Sequence, residues 1–454
     1  MVASATNHRL AELMDAAGLS NKALARSVRE RSIAHGRPIS CDHTSVARWL
    51  GGMQPREIAV QLIVEAISER TSRHLTPADL GLSGHPDGGD QVAMSYPTDS
   101  DEALVRMGHL LGSDLAELPL LVGSEPDEKL WSASALSWLV RPEAEPPQHR
   151  HDGRIGVIDV DAIRTTTEMF AALDNRFGGG HARRSLIQYL MSDVRGMLDG
   201  RYDEGTGIAL FEAAAEALLL AAWMSYDAGI HGLAQRYFAT ALRLAQDADD
   251  PLLAGSILDA MSHQATFLGK HREAVNLARA ARSGTRGVAT ATLTAHFHAM
   301  EARALAVAGD RVGADRAFIQ AVRVFEQRKP GVDPEWISYV DDAELSAEFA
   351  HAYRDLGRGA DAVRYAAKAI TGASARSDFF VTLVSAAGNL SARQLEKACA
   401  DLDCAMGTST QLKSARCIAY LKEFRLSLGP FSDERVVQDL EARYADHPLW
   451  IAAS

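Results

Sequence analysis

Few stretches of this chain of 454 residues hold side chains whose types and spacing could do chemistry. FGGGHARR at 177–184 sets three glycines ahead of two arginines, a composition that can cradle a phosphate at a helix N-terminus. No strand-forming run precedes it and the Lys-Ser/Thr of a P-loop is missing, so a turn is the expectation. QHRHDG brings His149 and His151 together, but two histidines without further ligands read as an exposed loop rather than a metal site. Asp341, Asp342 and Glu344 gather carboxylates, yet on a helix they mostly face different sides and read as a solvated or partner-facing patch. HExxH, GxSxG and Walker motifs are absent. An enzyme is therefore not expected, nor a cofactor or metal.

The elements that must position any site are helical by composition. Apolar residues make up 47% and charged residues 23%, which excludes wholesale disorder. Aromatics are only 6% and alanine is abundant, favouring helices packed through small side chains over a β-sandwich. A net charge of −12 argues against nucleic-acid binding until its distribution is read. Residues 1–75 carry ten Lys/Arg against seven Asp/Glu, while the remainder carries 37 against 52. A mildly basic head on an acidic body fits a two-part regulator. Cys41, Cys399, Cys404 and Cys417 form no Cys-x-x-Cys and read as free thiols of a reducing compartment. The opening MVASATNHRL has no basic or apolar leader region, and the apolar stretch 208–226 is interrupted by Glu212 and Glu216. A cytoplasmic protein without membrane contact is the expectation.

From residue 155 onward, Ala-rich segments alternate with Gly-containing turns, and they repeat. Gly229, Gly269, Gly309 and Gly357 align. Five residues after each stands Ala234, Ala274, Ala314 or Ala362, and twelve after each stands Ala241, Ala281, Ala321 or Ala369. Seven before each stands Ala222, Ser262, Ala302 or Ala350. A tight turn between antiparallel helices needs a residue tolerant of positive φ, and closely crossing axes admit only small side chains. Phe238 and Phe318 fill the ninth position in two copies, Ala278 and Ala366 in the others. This pattern resembles the tetratricopeptide repeat, a helix–turn–helix unit of ~34 residues, here spaced by 40, 40 and 48. A fifth, degenerate copy is expected at Gly407, with Leu412 and Ala419 in register.

The first eighty or so residues parse into short helices. One covers about 7–17 and stops at Gly18; a second follows Ser20 as N-cap. A long connection leads to CDHTSVARWLGG, with Asp42 as N-cap and Gly51-Gly52 as the stop, and Pro55 opens a fourth helix. Leu10, Leu13, Leu24, Ala25, Val28, Val46, Trp49, Leu50, Leu62 and Ile63 fall at helical spacing and would form a small core. Leu19-Ser20, Leu24-Ala25, Ser45-Val46, Trp49, Gly52 and Pro55 make this segment resemble the helix-turn-helix DNA-binding domain of the lambda-repressor/XRE class. In that reading the third helix enters the major groove, with His43, Thr44 and Ser45 at base edges and Arg48 one turn on, able to bond guanine bidentately. Asn21 and Lys22 meet phosphate at the start of the second helix, and Gln54 and Arg56 hold the other strand.

The whole chain, through LTPADLGL, LDNRFGGGHARRSL, WMSYDAG and AQRYFATALRLA, resembles actinobacterial XRE-type helix-turn-helix plus tetratricopeptide-repeat regulators of the NsdA-like kind, and distantly the peptide-sensing regulators of the same domain order. The resemblance implies an all-α protein: a helix-turn-helix domain at 1–82, a linker at 83–100, a helical connector with a Pro-rich break at 101–154, a helical lead-in at 155–206, repeats at 207–430 and a C-terminal helix or tail at 431–454. It implies a transcriptional regulator, a repressor of development or secondary metabolism, that binds double-stranded DNA as a homodimer through its repeats and responds to a peptide, small-molecule or protein signal. The alternative is a repeat scaffold acting through protein contacts without touching DNA. The first helix of each repeat would line a groove, which selects Glu216, Trp223 and Tyr226, then Asp259 and His263, then His296 and Arg303, then Glu344, His351 and Arg354.

Overall fold

The computed structural model describes residues 7–34, 39–53, 55, 57–71, 75, 80, 82, 95–118, 122–140, 154–408 and 412–453. The protein is all-helical, with no strand among the described residues beyond one isolated bridge between Arg154 and Arg201. It divides into two compact units, Met1–Ala93 and Met94–Ser454.

The first unit holds α1 (His8–Ala16), α2 (Asn21–Ala34), α3 (His43–Leu50) and α4 (Glu57–Thr71). The starts of α1 and α2 have local causes. The Asn7 carboxamide oxygen accepts the Leu10 N–H at 3.0 Å, and the Ser20 hydroxyl accepts the Ala23 N–H at 3.3 Å. Gly18 ends the first helical turn region with φ +62°. Leu10, Leu24, Val28, Val46, Ile63 and Ile67 are fully buried at the centre, while Leu13 and Leu50 are half-buried at its edge. Arg31 on α2 pairs with Glu69 on α4 across the top of this core.

The second unit opens with α5 (Ser100–Leu115), α6 (Glu128–Leu139) and α7 (Val157–Phe177). α8 (Arg183–Tyr189) runs through a π turn (Leu190–Val194) into α9 (Arg195–Leu198). Five helical hairpins follow: α10 (Glu204–Asp227) with α11 (His231–Asp247), α12 (Pro251–Phe267) with α13 (His271–Gly284), α14 (Ala291–Val307) with α15 (Arg311–Phe325), α16 (Asp342–Asp355) with α17 (Gly359–Ala369), and α18 (Ala375–Ser391) with α19 (Leu395–Thr408). α20 (Ala415–Leu428), α21 (Arg435–Tyr444) and α22 (Pro448–Ala452) complete the chain.

The four turn glycines sit at φ +82°, +71°, +79° and +69°. In each turn the following N–H reaches back to the carbonyl five residues earlier, as Ile230 does to Ser225 at 2.9 Å, which closes the helix end. The small residues of the aligned columns are buried where paired helices cross, Ala222, Ala234, Ala241 and Ser262 without any exposure. The fifth hairpin turns at Arg393, φ +60°, with Gln394 N–H bonded to Asn389 O at 2.9 Å. Ala386, Ala398 and Ala405 stand at the same three offsets from it and are buried. The expected turn at Gly407 is therefore corrected: Gly407 lies inside α19, because an arginine holds the position that glycine holds elsewhere.

The first helices α10, α12, α14, α16 and α18 pack side by side, and α7 touches both α10 and α18. α5 and α6 cover the second helices, with the Trp138 indole donating to Ala280 O at 3.1 Å and Tyr96 to Gln246 at 2.6 Å. α10 is long and apolar enough to cross a membrane by composition, but most of it is buried among the hairpins.

FGGGHARR is a close-packed turn. The Gly179 N–H donates to the Asp227 carboxylate at 2.9 Å and the Gly180 N–H to Lys413 O at 3.1 Å, so both amides have partners. A Cβ on Gly179 would stand 2.5 Å from the Met224 carbonyl oxygen, which leaves room for no other residue. The His149–His151 tract, most of the 83–100 linker and the Pro-rich break fall outside the described residues.

A left-handed conformation costs a non-glycine residue about 1–2 kcal/mol. Arg393→Gly is expected to raise stability by about 0.5–1 kcal/mol after its extra unfolded-state freedom is counted, and Gly357→Ala to lower it by about 1 kcal/mol. Urea unfolding of the two variants checks both signs.

Candidate nucleic-acid interface and interior polar site

α3 is short and held firmly at both ends. Asp42 Oδ1 accepts the Ser45 N–H at 2.8 Å, the Ser45 hydroxyl at 2.9 Å and the Thr44 hydroxyl at 2.7 Å. The Thr44 hydroxyl and then the Ser45 amide hold the Asp42 carboxyl far below its usual range. Val46 and Trp49 anchor the helix in the core. His43, Thr44, Ala47 and Arg48 are exposed along the opposite side, and Ser45 is half-buried. The Arg48 Nε–H donates to its own helix at Thr44 O, 3.4 Å away, and its remaining donors face outward.

On α2, Asn21 is half-buried and Lys22 exposed. Arg26 and Arg29 are exposed at four and seven residues beyond Lys22 and extend the same stripe. Burial and then Asp42 push the Cys41 thiol up, against the pull of Arg29. Arg29 is thus within electrostatic reach of the start of α3. The i, i+4, i+7 spacing from Lys22 was the signal for these two cations, which the sequence reading passed over. Gln54 and Arg56 lie outside the described residues.

The residues chosen for a groove divide into three sets. In the first, Arg303 Nη1 lies 3.0 Å from His263 Nε2 and 2.7 Å from Glu348 Oε2, and Tyr226 OH lies 3.1 Å from His263 Nδ1. Arginine only donates, so His263 accepts at Nε2 and carries its proton on Nδ1, toward the tyrosine oxygen. Burial and Arg303 push this imidazole well below its usual range. Arg303 Nη2 donates to Tyr420 OH at 3.2 Å, which leaves the tyrosine proton for His351 Nδ1 at 3.3 Å. Arg354 stacks over the Tyr420 ring and pairs with Asp355 at 2.6 Å. Trp223 packs on Tyr226, His263 and Phe238.

In the second set, His296 Nδ1 bonds Asp259 at 2.8 Å, and Glu344 stands nearby. In the third, Glu216 faces Arg164 of α7 at 3.7 Å, while Glu212 takes the same guanidinium at 3.0 Å. Burial lifts the Glu216 carboxyl to about 7 against the pull of Arg164.

Tyr420 belongs to α20, and it explains why this face is no open groove. Its ring stacks on Phe267 and meets Phe380 and His351. Arg416, one turn earlier, lies over Tyr226, Phe267 and Phe380. Through these two side chains α20 meets all five first helices. Among the described residues no group of three or more His, Cys, Asp and Glu is arranged for a metal ion.

Burial opposes the charge on His296, but Asp259 outweighs it and raises the imidazole to about 9. A folded-state value above the unfolded ~6.5 stabilises fully below about pH 6.5 and is lost as pH rises through 9. Urea midpoints should therefore fall between about pH 6.5 and 9 in the native protein, and His296→Gln should flatten that part of the profile.

Residues 10–83 match the family described as the SP15 N-terminal domain. No curated protein and no solved structure matches the chain.

Proposed function

We propose that this protein is a DNA-binding transcriptional regulator, in which a helix-turn-helix head reads DNA and a tetratricopeptide-like array behind it takes a signal. The observation that carries the reading is α3: a helix of eight residues, capped at Asp42, fixed inward by Val46 and Trp49, and presenting His43, Thr44, Ala47 and Arg48 outward. A rigid polar ridge of this length suits the major groove, where an arginine can bond guanine bidentately. Lys22, Arg26 and Arg29 supply phosphate contacts alongside it.

The head's small positive charge gives one copy little counterion-release energy. A homodimer doubles the phosphate contacts and matches two half-sites ~34 Å apart. The five hairpins, with their shared turn and small-residue offsets, support the repeat assignment. A cytoplasmic location follows from this reading.

One observation favours a second reading. The exposed Asp42 carboxylate draws in the Thr44 and Ser45 hydroxyls and occupies the N-terminus of α3, where a phosphate would otherwise approach. In that reading α3 docks on a protein, and the chain is an adaptor.

Fluorescence anisotropy with duplexes selected from pooled genomic fragments separates the two. The regulator binds a subset tightly. Arg48→Ala lowers affinity for that subset by about tenfold to a hundredfold, the loss of one bidentate base contact of ~1–3 kcal/mol. Lys22→Ala weakens every duplex alike and lowers the salt slope by about one. Binding to no duplex favours the adaptor, and sedimentation of a single chain per duplex contradicts the dimer.

A further inference from the structure

The 48-residue spacing between Gly309 and Gly357 has a structural product: residues 326–341 form a strap between the third and fourth hairpins. Ile337 and Val340 anchor it in the core, and Thr292 Oγ1 pins it to the start of α14 through Asp333 at 2.6 Å. The strap sets Tyr339 edge-on to the His296 ring, 6.1 Å between centroids. Tyr339 is 52% exposed, whereas Asp259 and His296 are only 4% and 6% exposed. Tyr339 therefore stands at the surface over the Asp259–His296 pair, which forms the floor of the candidate site.

Two atoms of that floor lack partners among the described residues. Asp259 Oδ1 and His296 Nε2 are buried without a hydrogen bond, although Asp259 Oδ2 and His296 Nδ1 bond each other. Leaving such groups unmade costs about 1–3 kcal/mol each, so a complementary molecule is favoured. Asp259 Oδ1 can only accept. The charged His296 offers Nε2–H as a donor.

Charge narrows the occupant. Asp259, Glu344 and Glu348 all lie within electrostatic reach of His296 and of Tyr339, and Glu348 also reaches Arg303. Arg303 bonds Glu348 and His263 through Nη1 and Tyr420 through Nη2, while its Nε is buried without a partner among the described residues. Glu344 makes no ion pair among the described residues, and it is half-buried. The site therefore lacks one positive charge.

We infer that a small molecule carrying a protonated amine next to a hydrogen-bond acceptor binds here, its ammonium between Asp259 and Glu344 and its acceptor on His296 Nε2. Burial and then Glu348 lift the Glu344 carboxyl to about 7, with Asp341 adding to the rise and His296 and Arg303 opposing it. Amine affinity therefore increases as pH rises through this range, as Glu344 ionises. That the amine acts as the signal rests on the regulatory reading above; that it binds does not.

Isothermal titration of the full chain with ethanolamine tests the site, with ethylene glycol as the neutral counterpart. Ethanolamine is expected to bind saturably, one per chain, more tightly at about pH 8 than at about pH 6, and ethylene glycol is not. Glu344→Gln, at a half-exposed position, should weaken ethanolamine at least tenfold while its circular dichroism stays native, and Asp259→Asn should do the same. No saturable ethanolamine binding, equal binding of ethylene glycol, or native affinity in both variants overturns the inference. Anisotropy with DNA on the same samples keeps the two readings apart: lost DNA binding with intact ethanolamine binding overturns the regulator and leaves the site standing.

Discussion

One carboxylate decides how the second unit closes. Asp227, at the end of the first helix of the first hairpin, is almost wholly buried. It accepts the Gly179 N–H from the turn after α7 at 2.9 Å and the Ser414 hydroxyl ahead of α20 at 2.8 Å. Arg376 of the last hairpin reaches it at 3.6 Å and Arg416 at 3.8 Å. Arg376 also takes Asp174 at the end of α7, at 2.9 Å. A buried charge is tolerable only when hydrogen bonds and opposite charges surround it, and removing one member leaves the others uncompensated. The first hairpin, the last hairpin, α7 and α20 are therefore bound to a common point.

Closure at that point seats α20 on the inner helices, and the seat determines the chemistry within. Tyr420 bonds Arg303 and His351, and Arg416 lies over three aromatic rings, so α20 engages most of the polar and aromatic groups there. The Asp259–His296 pair lies beside this seat, with an unpartnered atom on each residue among the described residues.

Much of the repeat was legible because its physics is local. Four turns need positive φ and use glycine, and four helix crossings need small residues. The fifth hairpin is masked in the sequence because Arg393 holds the left-handed position at a tolerable cost, so no glycine marks the alanines at its usual offsets. Anchoring on Gly407 then merged the start of α20 with a repeat, so Arg416 and Tyr420 went unread although they stand one helical turn apart. In the head, the caps, the core and the outward Arg48 followed from sequence. That Thr44 and Ser45 would donate to Asp42 depends on rotamers, which spacing does not encode. The strap was visible only as an unexplained 48-residue interval.

The central claim is that the chain's own helix α20 occupies the inner face of the hairpins, held there through Asp227. Hydrogen–deuterium exchange of the full chain measures this directly. The account predicts that amides of 415–428 exchange as slowly as those of α10 and α12, and that Asp227→Ala speeds 415–428 selectively while the hairpins stay protected. Rapid exchange of 415–428 in the native protein would contradict it.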